Sequence, residues 1–248
     1  MQLTRQKAKA SLGRYLSPYG KRCFILQGDW SAPPKGPFPR IRHLMLGSMH
    51  KCQTTTLDFL QLFPAIEELE VRDGIVDFSG LYHLHELSAL KIGYWVLPKH
   101  IRLDLSRFKT LRSLDFRWSR HITGLDALRQ LTSLHLIYVY GVERLDLSPL
   151  RSLRRLDIGP AKGVRRLSLD GLRHLNHLGL AVMPRLTEVS GSDFYRTVTV
   201  LKIPGSHSLP RKFLSAFTKL KTVTIGTKST LTVADFPRCQ PKIFKSPI

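Results

Sequence analysis

Acidic residues are scarce in this chain of 248 residues, 18 Asp and Glu against 39 Lys and Arg, which leaves a net charge of +21. Cysteine is nearly absent. Cys23, Cys52 and Cys239 form an odd, scattered set without C-x-x-C spacing, which excludes a disulfide framework and a structural zinc site and reads as free thiols. Long apolar runs are missing too: no window approaches the length of a membrane-spanning helix. The first twenty residues contain no apolar stretch that could serve as a signal-peptide core, so the expected compartment is the cytosol. Among catalytic signatures, G-x-x-x-x-G-K-[ST], G-x-G-x-x-G after a strand, H-E-x-x-H and G-x-S-x-G are all lacking. What remains is apolar material, 42% of the chain, enough for a sizeable core and too much for a wholly disordered polymer.

That apolar material recurs. The pattern apolar-x-x-apolar-x-apolar occurs nine times, with its central residue at Leu44, Leu69, Leu90, Leu114, Leu134, Leu156, Leu178, Leu201 and Val223, in steps of 20 to 25 residues. Each match reads as a short strand with two apolar side chains on one face. One such strand cannot bury that face alone, but successive turns can pair their strands in parallel and merge their leucines into a continuous core.

With these L-x-x-L-x-L segments over residues 41–227, the chain resembles a leucine-rich repeat protein. The resemblance implies an α/β solenoid, a horseshoe of about nine repeats with a parallel β-sheet on its concave side. The Asn that commonly follows the strand is replaced by Met49, Gly74, Trp95, Ser119, Val139, Ala161, Met183, Ser206 and Lys228, which marks an irregular subtype without an Asn ladder. Second apolar pairs, such as Leu103 with Leu105, Leu145 with Leu147 and Leu167 with Leu169, predict short strands or tight turns on the convex side, with helical turns near 54–62 and 210–217. Residues 1–40, which include the strand candidate 23–26 and a Pro-rich stretch, are expected to cap the amino-terminal end. Residues 228–248 would form a carboxy-terminal cap or tail. Caps rich in Pro and Lys protect edge strands, so a monomer is expected.

In such a scaffold, recognition falls to the outward positions of the strands. Tyr94, Trp118 and Tyr138 are expected to form an aromatic row beside Asp115, His135 and Asp157, with Arg117 and Arg155 adjacent. Aromatic and Arg side chains are the usual material of binding hot spots, although aromatics at strand ends also serve simply to cover a core. The row Asp115, His135, Asp157, with Ser113, Ser133 and His177 nearby, also invites a catalytic relay or a metal site. An open sheet supplies neither an oxyanion site nor a water-excluding pocket, so neither a catalytic role, a metal nor a cofactor is assigned, and His135 is expected to bridge the two carboxylates. His83, His85, His174 and His177 read as solvated residues.

On this register the inner face is balanced: Glu68, Glu70, Asp73, Asp115 and Asp157 against Arg72, Lys91, Arg117, Arg155 and Lys202. The excess lies at the ends and turns, with eight Lys or Arg against Asp29 in residues 1–40 and ten against Asp235 in residues 194–248. The sequence thus predicts a non-catalytic protein-binding module, an inhibitor, adaptor or toxin-neutralising immunity protein by architecture, whose basic exterior would steer an acidic protein partner. The second reading is binding of nucleic acid or an anionic surface through Arg5, Lys7, Lys9, Arg144, Arg165 and Arg166.

Overall fold

The apolar alternation forms strands where it was expected, and the length of each intervening loop lets the next strand fall into parallel register. The computed structural model describes the main chain of residues 11–16 and 22–27 and the full residues 35–46, 56–71, 77–93, 102–205 and 209–246. In chain order the strands are β1 (Ser11–Leu16), β2 (Arg22–Gln27), β3 (His43–Leu46), β4 (Glu68–Val71), β5 (Ala89–Ile92), β6 (Leu103–Asp104), β7 (Ser113–Arg117), β8 (Ile122–Thr123) and β9 (Ser133–Ile137). They continue with β10 (Arg144–Asp146), β11 (Arg155–Ile158), β12 (Arg166–Ser168), β13 (His177–Leu180), β14 (Glu188–Ser190), β15 (Val200–Ile203), β16 (Thr222–Gly226) and β17 (Lys242–Ser246). All nine L-x-x-L-x-L segments contain one of these strands.

The chain divides into two compact units, one of residues 1–111 with 120–124 and the other of residues 112–119 with 125–248. In the first, β1 and β2 pair antiparallel, and β2, β3, β4 and β5 follow in parallel. Short 3-10 turns at Asp58–Leu62 and Ser79–His83 return the chain, burying Phe59, Leu60 and Leu81. The small pair β6 and β8 lies in this unit as well.

The second unit is a solenoid of leucine-rich turns. Here β7, β9, β11, β13, β15, β16 and β17 pair in parallel, each with the next. The register is the one the repeats require: Leu134, Leu156, Leu178 and Leu201 lie abreast, as do Leu136, Ile158 and Leu180. All of these side chains are buried, and each contributes about 1.5–3 kcal/mol relative to an exposed position. On the return path β10, β12 and β14 form a second parallel sheet through Leu145, Leu167 and Val189. The helix α1 (Arg211–Ser215) inserts Phe213 against Phe217, ring centroids 5.2 Å apart, and Phe194 joins the same cluster.

The positions that would hold an Asn ladder hold Val139, Ala161 and Met183, all fully buried. The polar work passes to the main chain. The Val139 N–H donates to the Pro160 carbonyl at 2.9 Å and the Ala161 N–H to the Val182 carbonyl at 3.2 Å. Turning the chain this way places Tyr138 at φ 53° and Val182 at φ 51°, a region that non-glycine residues enter at a cost.

Candidate functional site

The exposed face of the seven-stranded sheet is built from alternate residues of its strands, because their neighbours point into the leucine core. In register, Ser113 faces Ser133 and then Arg155 and His177, while Asp115 faces His135, Asp157 and Gly179. Ser113, Asp115, Ser133, His135, Arg155 and Asp157, with Lys202, line an open depression of about 390 Å³. Two carboxylates and two permanent cations leave it near neutral.

The central row is paired differently from the sequence expectation. His135 lies between Asp115 and Asp157, yet its Nδ1 meets only Asp115, at 3.3 Å from Oδ2. Asp157 turns away toward the next strand. Its Oδ1 stands 3.0 Å from His177 Nε2, and its Oδ2 accepts a hydrogen bond from Arg155 Nε at 2.9 Å. Burial of Asp157 pushes its carboxyl up, but the His177 hydrogen bond and charge and the Arg155 guanidinium together outweigh this and hold it down at about 2.

Gly179 makes the diagonal reach possible. A Cβ at this position would lie 2.2 Å from Asp157 Oδ1, so only glycine leaves the carboxylate room to lean across to His177. His177 is accordingly a buried residue, 9% exposed, and corrects its reading as solvated. The signal available in sequence was the glycine one register step from an aspartate, with the histidine two residues before it.

Neither Ser113 nor Ser133 donates to His135 among the described residues, so the relay geometry is not assembled there. Nor, among the described residues, do three or more His, Cys, Asp or Glu side chains converge as metal ligands would.

The aromatic row is also rearranged. Tyr94 lies outside the described residues. Trp118 is half-buried, stacked on Phe116 with centroids 6.4 Å apart, and its Nε1 is buried without a hydrogen-bond partner in the described structure. Tyr138 instead stands out at 37% exposure and pairs with Tyr140, 47% exposed, at 6.0 Å between centroids. The Arg117 guanidinium lies 5.2 Å from the Tyr138 ring centre. Trp118 thus covers core, while Tyr138 and Arg117 face outward. Tyr140 was not anticipated, although it occupies the next alternate position after Tyr138.

Of the residues assigned to an anionic partner, Arg5, Lys7 and Lys9 lie outside the described residues. Arg144 and Arg166 are exposed neighbours on the small sheet, and the next residue in their register is Glu188. Arg165 is exposed beside them. Charge on that sheet is therefore mixed.

No helix among the described residues is long and apolar enough to cross a membrane. No protein-family model matches the chain, and no curated protein matches it. Among solved structures, the functional domain of InlJ from Listeria monocytogenes, which includes a cysteine ladder, is similar at 15% identity and a TM-score of 0.45, over 84% of this chain and 47% of that one. The internalin InlF from Listeria monocytogenes strain 4b F2365 is similar at 16% identity and a TM-score of 0.39, over 83% of this chain and 68% of that one. A leucine-rich repeat protein from Bacteroides ovatus ATCC 8483 shows 12% identity and a TM-score of 0.17, over 98% of this chain and 100% of that one. The chain thus spans about half the length of the InlJ domain, and likenesses this loose carry no functional argument.

Proposed function

We propose that the chain is a non-catalytic module that captures a protein partner on the exposed face of its seven-stranded sheet. The observation that carries this reading is the Tyr138–Tyr140 pair with Arg117 against it: exposed aromatic surface, held in place by a left-handed backbone at Tyr138, at the end of a face otherwise filled with balanced charge. Two tyrosines and an arginine are the side chains that most often anchor protein interfaces. The row Asp115, His135, Asp157 and Arg155 would supply a polar surround that fixes orientation, and Trp118 a rigid floor behind the anchor. Activity would then consist of occupancy, as in an inhibitor, an adaptor or a toxin-neutralising immunity protein.

The test is capture on immobilised protein from a lysate of the native host, followed by a high-salt wash. The partner retained by the wild type should lose at least tenfold in affinity when Tyr138 and Tyr140 are both changed to Ala, with the fold intact by circular dichroism. Undiminished binding by the double variant would remove the anchor from the site.

A further inference from the structure

We infer that the turn edge preceding the parallel strands is a binding edge for the phosphate backbone of a single-stranded nucleic acid. It is independent of the protein-binding face and does not rest on that reading.

The observation is a column of arginines, one per turn. Arg129, Arg151 and Arg173 recur at equal steps of 22 residues, each as the second residue of Leu-Arg-x-Leu, and Arg196 holds the equivalent place in the next turn. The backbone is the same at the first three, while Arg196 ends the 3-10 turn Asp193–Arg196. The N–H groups of Arg129, Arg151 and Arg173 donate to Ala127, Pro149 and Gly171, at 2.9, 3.0 and 2.9 Å. The leucines on both sides, such as Leu150 and Leu153 around Arg151, are buried in the core, so the arginine between them must project outward. All four arginines are exposed.

Consecutive turns lie about 4.8 Å apart where their strands pair, so the four guanidiniums form a file about 14 Å long. Arg154 adds a further cation beside it, exposed in the position just before β11.

The electrostatics favour an external anion. Arg173 Nε lies 3.4 Å from Asp193, with its side chain 77% exposed. Arg129, Arg151, Arg154 and Arg196 have no ion-pair partner among the described residues. The nearby acids fall on one side of the file, three residues upstream, and are already engaged in part: Asp170 accepts hydrogen bonds from the Ser168 and Ser190 hydroxyls.

The character of the edge selects the partner. The residues that follow the arginines are Gln130, Ser152, His174 and Thr197, all polar. Exposed large apolar side chains among the described residues are Tyr138, Tyr140, Val233 and Phe244, none of them on this edge. A protein interface needs an apolar centre, which this edge lacks. A phosphate backbone needs only cations and hydrogen-bond donors, and arginine offers the fork geometry that grips phosphate oxygens. A file one residue wide suits one strand.

Fluorescence anisotropy with a labelled mixed-sequence RNA of about 20 nucleotides tests this, read between about 50 and 200 mM salt. Changing Arg129, Arg151, Arg173 and Arg196 together to Gln should weaken binding at least about tenfold and lower the slope of log affinity against log salt by about 3. A control removing the same charge elsewhere, with Arg144, Arg165, Arg166 and Lys162 changed to Gln, should move affinity by less than about threefold. The four Arg→Lys substitutions should keep the salt slope while losing part of the affinity. Equal losses in the two Gln variants would show that only bulk charge matters and would overturn the inference, as would absence of RNA binding by the wild type. So would polyglutamate that competes as well as RNA, which would assign the edge to an acidic protein.

Discussion

The carboxylate of Asp157 is the most strongly constrained group on the exposed face, and its environment sets a pH dependence. Its pKa is held at about 2 against an ordinary 3.8, so its contribution to stability is fully present above about pH 4 and disappears as the pH falls through about 2. The gap corresponds to about 2 kcal/mol, which solvent screening at a side chain 21% exposed trims to about 1–2 kcal/mol. Thermal melts between about pH 5 and pH 2 should therefore show a steeper loss for the wild type than for Asp157→Asn. Parallel curves would mean that the His177 and Arg155 contacts contribute nothing. Gly179→Ala should cost about 1–2 kcal/mol by driving the carboxylate off His177, and should cost less in an Asp157→Ala background, where there is nothing to displace. The sequence placed Asp157 correctly beside His135 in register but not its partner. Register fixes which residues lie abreast; the direction a carboxylate leans depends on the space a neighbouring glycine leaves, a three-dimensional quantity with only a faint one-dimensional trace.

At the scale of the element, the strands were legible because each is short, amphipathic and repeated, so that one pattern is tested nine times over. The turn after the strand was not. Knowing that Asn was missing did not reveal what replaced it, since main-chain bonds between Val139, Ala161 and the next turns depend on conformation rather than on side-chain identity. Those turns carry strain at two non-glycine positions, and the two should respond differently. Val182→Gly removes the cost of a β-branched residue at positive φ, about 1–2 kcal/mol, against a smaller entropic loss, and should raise the melting midpoint. Tyr138→Gly should also preserve or raise stability, yet weaken partner capture, because there the strained backbone presents an exposed ring. A lowered midpoint in Val182→Gly would show that side-chain packing outweighs the backbone term. The two readings of the aromatics part for a similar reason: Trp118 and Tyr138 occupy equivalent-looking places after successive strands, but Trp118 stacks on Phe116 while the left-handed turn at Tyr138 leaves its ring exposed.

For the whole molecule the governing quantity is the net charge of +21. Several of the ion pairs in the described structure are substantially exposed, including Arg42 with Glu67 and Arg173 with Asp193, and such pairs contribute little. Self-repulsion among the excess cations should therefore dominate the response to salt. Raising ionic strength from about 10 mM to about 300 mM is expected to increase the thermal midpoint, as screening relieves repulsion faster than it weakens the pairs. A fall would place more of the stability in surface ion pairs than their exposure suggests. The sequence alone located the surplus on turns and ends, but only the shared backbone of the Leu-Arg-x-Leu steps showed that part of it is ordered into a file.

That shared step makes each turn a unit of length. A 22-residue turn that carries Leu-Arg-x-Leu delivers one pair of aliphatic residues inward, one pair of residues to the exposed face and one arginine to the edge, all at a fixed offset. Duplicating a segment such as 151–172 would thus lengthen the core, the face and the edge by the same increment without disturbing any register. Gain or loss of whole turns would let the molecule act as a ruler, adjusting the span of anion it meets in steps of one cation while leaving the chemistry of every contact as it was.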